Sequence, residues 1–187
     1  MLRRPFGGRR GPLGPGPKPL EVRAIQALRR AHRMMEMGEF EQALAIFLRL
    51  AEGAVRLGMP LRAAPLYVQA AHARLEMGNA AEAVELAQRG IRLLAQAGRV
   101  ERVRAITQQL IGLLEERGFY EQAVALRAEV TALLGNAQPS GTITQRGQLP
   151  TRCPACNGPV RADQVEWVDA YSAVCAFCGS TIQCEAS

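Results

Sequence analysis

Residues Ala31–Ala43 read "AHRMMEMGEFEQA", and Ala71–Ala83 read "AHARLEMGNAAEA". Ala31/Ala71, His32/His72, Glu36/Glu76, Met37/Met77, Gly38/Gly78 and Ala43/Ala83 each stand 40 positions apart. A third, worn copy, "ERGFYEQA", keeps Gly118 and Ala123 in the same phase. A fixed period in the range of about 20–50 residues marks a stacked repeat, whose units bury their apolar faces against one another.

Around these phrases, from Leu20 to Gly135, the chain is rich in Ala, Leu, Arg and Glu and carries no strand signals. Gly38, Gly58, Gly78, Gly98, Gly118 and Gly135 punctuate it at intervals of about 20 residues. Each glycine suits the left-handed residue that ends a helix, and each interval holds one helix of four to five turns. The pattern predicts six helices in three antiparallel pairs, at about 20–37 and 40–57, 60–77 and 79–97, and 99–117 and 120–134. Ala43, Ile46, Leu50 and Ala54 form the expected inner stripe of the second helix, and Ala123, Leu126, Val130 and Leu134 that of the sixth. Small residues at Ala31, Ala71, Ala43, Ala83 and Ala123 would let paired helices approach closely. Pro65 conflicts with a third helix that starts at Pro60, so the sequence predicts either a kink or a start near Ala64.

The pattern Gly38-Phe40-Ala43, Gly78-Ala80-Ala83 and Gly118-Tyr120-Ala123 resembles the inter-helix turn and following alanine of tetratricopeptide repeats. Phe47 matches the second-helix aromatic of that family, whereas Ala87 and Arg127 do not. Ala27, Tyr67 and Thr107 stand where the family carries a first-helix Trp, and the period is 40 rather than 34. The resemblance covers about 115 residues. It implies an all-α helical-repeat solenoid of three helix-turn-helix pairs, with a binding groove on the first helix of each pair. Leu28, His32, Met35 and Glu36 from the first repeat and Val68, His72, Leu75 and Glu76 from the second would line that groove, an apolar surface with an acidic edge. The third repeat offers Gln108, Gly112, Glu115 and Glu116 there. The groove lacks the Lys/Asn/Arg set by which some members of the family clamp a terminal carboxylate. His32 and His72 have a plainer reading as residues packed between helices.

Residues 1–19, "MLRRPFGGRRGPLGPGPKP", carry five basic and no acidic residues and little to bury, which reads as a disordered basic arm. They supply most of the net charge of +6. Residues 136–152 lack periodicity and read as a linker. There is no apolar leader and no run of the roughly 20 apolar residues that crosses a bilayer. All five cysteines fall after residue 152, so the chain reads as a cytoplasmic protein of a reducing compartment with no membrane partner.

Cys153, Cys156, Cys175 and Cys178 form Cys-x2-Cys-x18-Cys-x2-Cys. Two residues between cysteines let one tight knuckle aim both thiolates at a single ion, and two knuckles complete a tetrahedral shell. Gly179 follows the second knuckle and Asn157 the first, both residues that tolerate positive φ. Val160, Val165, Trp167, Val168 and Val174 mark short strands between them. Residues 153–187 resemble a zinc ribbon, a small β module. A unit of this size buries too little apolar surface to fold alone, and structural zinc contributes about 10–16 kcal/mol in comparable domains. Cysteine fills all four positions, which leaves none open for water or substrate, so one structural Zn is the expected cofactor. Iron on the same thiolates is an alternative, and a disulfide-exchange pair a further one. Cys184 receives no role.

The sequence contains no HExxH, P-loop, dinucleotide-binding glycine fingerprint or GxSxG, and no enzymatic activity is expected. The reading is a scaffold for a protein or peptide partner. The alternative is a nucleic-acid-associated factor that uses Arg3, Arg4, Arg9 and Arg10. Against it, residues 153–187 carry one basic and four acidic residues, so the module itself should repel a phosphate backbone.

Overall fold

The computed structural model describes residues 19–135, 147–168 and 170–184. The basic arm up to residue 18 lies outside the described residues, as do linker residues 136–146. Six helices come first: α1 (Pro19–Glu36), α2 (Phe40–Arg56), α3 (Pro60–Glu76), α4 (Ala80–Gln96), α5 (Val100–Glu116) and α6 (Tyr120–Leu134). A small sheet follows, with β1 (Glu166–Trp167), β2 (Ser172–Val174) and β3 (Thr181–Gln183). Each helix packs on the next in sequence order, most closely α3 between α2 and α4.

The helix ends follow the glycine punctuation. Gly38, Gly58, Gly78, Gly98 and Gly118 all have φ between 68° and 81°. Beyond each glycine the next N–H reaches back five residues, as in Asn79 N–H to the Arg74 carbonyl at 3.0 Å and Phe119 N–H to the Leu114 carbonyl at 2.8 Å. These are Schellman turns, which satisfy the last helical carbonyls only if one residue is left-handed. Gly78→Val is therefore expected to cost about 1–2 kcal/mol, since a β-branched residue resists that conformation. A denaturant melt of the helical signal measures it, and an unchanged midpoint would mean that the turn tolerates other geometry.

The packing is built on small residues. Ala31, Ala43, Ala71, Ala83 and Ala123 are all buried. At Gly90 a Cβ would stand 2.7 Å from the Ala64 carbonyl oxygen, so α3 and α4 approach more closely there than any side chain permits. The stripe of α6 is as expected, with Ala123, Leu126 and Val130 buried and Leu134 packed against the core. In α2 it is rotated. Leu44, Phe47 and Ala51 join Ala43 and Ala54 in the core, while Ile46 and Leu50 are only half-buried. Phe47 is fully buried, as are Ala43 and Ala51, and its large ring fills the space that such small residues leave.

Pro65 neither delays nor splits α3. The helix begins at Pro60, whose fixed φ suits a first helical position, and continues through Pro65. Pro65 forfeits one bond, to the Leu61 carbonyl. Its buried ring contributes contact in exchange.

The sheet is antiparallel in the order β1-β2-β3, with Trp167 opposite Ala173 and Ala173 opposite Ile182. Val165 and Ile182 are buried, whereas Val168 is exposed. Residues 147–152, read from sequence as the end of the linker, already belong to this module. Gly147 N–H bonds the Ala170 carbonyl, Val160 N–H bonds the Thr151 carbonyl, and Arg152 bridges to Pro159.

Candidate metal centre

Two knuckles with the same backbone hold the four cysteines. In the first, Asn157 N–H bonds the Cys153 carbonyl at 2.8 Å and Cys153 N–H bonds the Gly158 carbonyl at 2.9 Å. In the second, Gly179 N–H bonds the Cys175 carbonyl at 3.0 Å and Cys175 N–H bonds the Ser180 carbonyl at 2.9 Å. Asn157 (φ 59°) and Gly179 (φ 73°) occupy the same left-handed position in each.

This repetition brings the sulfurs of Cys153, Cys156, Cys175 and Cys178 within 4.8 Å of one another. Cys153 Sγ lies 3.7 Å from Cys178 Sγ, and Cys156 Sγ 3.8 Å from Cys175 Sγ. These separations are far too long for disulfides, and all four cysteines are free. They match the edge of a tetrahedron, about 3.8 Å, that a metal–sulfur distance of about 2.3 Å generates. Cys153, Cys156 and Cys175 are buried and Cys178 half-buried. Hydrogen bonding among the thiols lowers Cys153 to about 6 and lowers Cys178, while it raises Cys156 and Cys175. Four negative sulfurs cannot share so small a space without a cation. The group is thus able to hold a metal ion. Cys184 stands apart from it, against Gly147.

The module sits on the face formed by the odd-numbered helices. Arg29 of α1 donates through its side chain to the Ala155 carbonyl and, at 3.2 Å, to the Pro154 carbonyl in the first knuckle. Glu36 pairs with Arg152 at 2.6 Å and accepts from Asn157 at 3.4 Å. From α3, the Arg62 guanidinium lies against Gly179. From α5, Gln109 bonds Gln164 at 2.8 Å, and Arg99, just ahead of that helix, pairs with Glu166 at 3.3 Å. Phe177, between the second pair of cysteines, is the apolar centre of the contact. Its ring meets His32 edge-on at 5.3 Å, and His32 meets Phe47 likewise at 5.2 Å. Gly158 makes room for this, since a Cβ there would fall 2.8 Å from the Phe177 ring and 2.9 Å from His32 Nε2.

The expected open groove is consequently occupied. Leu28 and Leu75 are core residues, each 2 % exposed, and Met35 is half-buried. His32, Glu36, Val68 and His72 face the module, and Glu76 pairs with Arg117 at 2.6 Å. His32 and His72 are not in the cysteine group. Burial holds both imidazoles down to about 4, with Arg152 adding to the effect at His32 and Arg117 and Arg161 at His72 against the pull of Glu76. Both are neutral at pH 7.

Sequence reading missed Arg29, Arg62, Arg99, Gln109 and Phe177 as interface residues. One signal was available: α3 carries no charge from Ala63 to Ala73, and both its faces are buried. A helix that is uncharged all round must be covered all round.

Among the described residues, no helix is long and apolar enough to cross a membrane. No family model, curated protein or solved structure matches the chain.

Proposed function

We propose that Cys153, Cys156, Cys175 and Cys178 hold one structural zinc ion, and that the chain is a non-enzymatic interaction scaffold whose odd-helix face is closed by the metal-held module. The observation that carries this reading is the docking of the four-cysteine knuckles onto α1, α3 and α5. Zinc suits four thiolates at tetrahedral spacing, and with no fifth group in the shell it supplies folding energy rather than chemistry. Zinc with four thiolates carries a net charge of −2, and Arg29, Arg62 and Arg152 stand around the knuckles to offset it. Stacked helix pairs give extended surfaces for partners. With the odd face covered, partner contact falls on that face only when the module lifts, or on exposed apolar positions such as Tyr120 and Val124, one turn apart on α6.

Metal ligation by thiolates releases protons, because Cys156 and Cys175 are held in the protonated form. Zinc uptake in weakly buffered solution at pH 7 should therefore acidify the medium, and affinity should rise with pH and fall steeply towards pH 5. Uptake without proton release would contradict thiolate ligation.

The scaffold reading is tested by partner capture with the whole chain, with Phe177→Asp, which undocks the module, and with Tyr120→Asp. A protein captured only by the undocked variant assigns the odd face. A protein lost with Tyr120→Asp assigns α6. Recovery of nucleic acid instead, abolished by deleting residues 1–18 or by raised salt, would replace the scaffold reading with the nucleic-acid one.

A further inference from the structure

A cavity of ≈ 340 Å³ lies between α3, α5 and the cysteine module. Its polar wall carries Arg102 and Gln109 from α5, Gln69 and His72 from α3, and Arg161 and Gln164 from the module. Apolar lining comes from Val68, one turn from His72 on α3, from Ile106, one turn from Arg102 on α5, and from Phe177. Among the described residues, none that lines it is acidic.

Gln164 and Gln109 bond each other, but other polar atoms of the lining are left over. Arg102 Nε and Nη2 and His72 Nε2 are shut off from solvent and meet no hydrogen-bond partner among the described residues. Glu166, the carboxylate whose field reaches Arg102, is instead engaged by Arg99 at 3.3 Å. Arg161 makes a long contact of 3.6 Å with Asp163, at the exposed rim. A guanidinium keeps its charge in any protein setting, so it cannot escape an unpaired position by losing its proton. Sheltered donors left unsatisfied cost more than most polar groups, and charged ones cost most.

We infer that this cavity binds a small molecule with one oxyanion head and an apolar body. Arg102 holds the head, His72 and Arg161 support it, and the body lies on Val68, Ile106 and Phe177. A guanidinium offers two parallel donors to a carboxylate or a phosphate, and both head groups suit the cavity. The ligand would touch the helices and the module at once and so fasten the closed form. This inference does not depend on the scaffold reading, because it concerns a cavity with its own walls.

The test uses the full, metal-loaded chain and measures its unfolding temperature with benzoate, phenyl phosphate or inorganic phosphate, at ionic strength held constant with sodium chloride. Benzoate, phenyl phosphate or both should raise it saturably, and inorganic phosphate, lacking the body, should act more weakly. The ranking of the first two assigns the head group. Arg102→Met should weaken binding by at least about tenfold, the usual worth of a charge-assisted bond. In ligand-free buffer the same variant should unfold at a higher temperature, since it removes an unpaired charge. A purely structural Arg102 would give a drop instead, and that result would overturn the inference. Arg161→Gln, at the exposed rim, keeps the core intact and should weaken binding while leaving the ligand-free unfolding temperature near that of the parent. Stabilisation no greater than that by sodium chloride, or full binding by Arg102→Met, would also overturn it.

Discussion

Cys175→Ser is expected to abolish metal retention and to unfold the whole C-terminal module, while α1–α6 keep their helical signal. Three thiolates with a serine hydroxyl make a far weaker site than four thiolates, and the module has little else to hold it. Its three strands are two to three residues long, and among the described residues its buried apolar side chains outside the cysteines are few: Val165, Ala173, Phe177 and Ile182. The apparent free energy of structural zinc in small domains is about 10–16 kcal/mol, larger than any other single contribution available to such a unit. Metal analysis after purification should give one zinc per parent chain and essentially none for the variant. Hydrogen exchange should rise throughout residues 147–184. It should rise in α3 as well, because Val68 and Gln69 lose their cover. A variant that keeps its metal would remove Cys175 from the ligand set. A red, iron-type absorption in the parent would keep the site and replace the ion.

The helical part was legible because its grammar is local. A glycine that must be left-handed announces a helix end within a residue or two, and six of them set the bounds of six helices. The knuckles were legible for the same reason: Asn157 and Gly179 stand where positive φ is needed, immediately after Cys156 and Cys178. What the residues between the cysteines do was less plain. Val160, Val165 and Val168 have the composition of strand residues but lie outside the strands, since runs this short are set by the metal knuckles and not by propensity. The docking of module on helices was not legible, because it joins residues far apart in the chain, from 55 positions for Gln109 with Gln164 to 125 for Arg29 with Pro154. The repeat hides it further. Arg29, Gln69 and Gln109 occupy one repeat position, which reads as a solvated polar site when taken one repeat at a time. Together they form a polar row that faces the module from three helices. Leu75 shows the converse error. It shares a stripe with groove residues on a helical wheel, yet it is core, and Leu75→Asp would unfold the second repeat rather than probe a surface.

Phe177→Asp should separate metal binding from docking. Phe177 is 7 % exposed and its ring joins His32 at 5.3 Å, so the docked form of the variant would lose the ring at the centre of the contact. Loss of a buried phenylalanine costs about 3–5 kcal/mol. The polar contacts that remain are the surface ion pairs Glu36–Arg152 and Arg99–Glu166, each worth at most about 1 kcal/mol, and the hydrogen bonds of Arg29 to the Ala155 and Pro154 carbonyls, of Asn157 to Glu36 and of Gln164 to Gln109. Without the apolar centre, water competes for each of them. The module should therefore leave the helices. The metal should stay, because the knuckle needs its two cysteines and its left-handed residue, and position 177 supplies neither. The expected result is one metal per chain, a larger radius of gyration in solution, and faster amide exchange in α3 from Ala63 to Ala73. An unchanged radius with metal retained would show that the polar contacts alone secure the module. Loss of metal together with compaction would show that the knuckle requires the helices to fold, and that centre and interface form one cooperative unit.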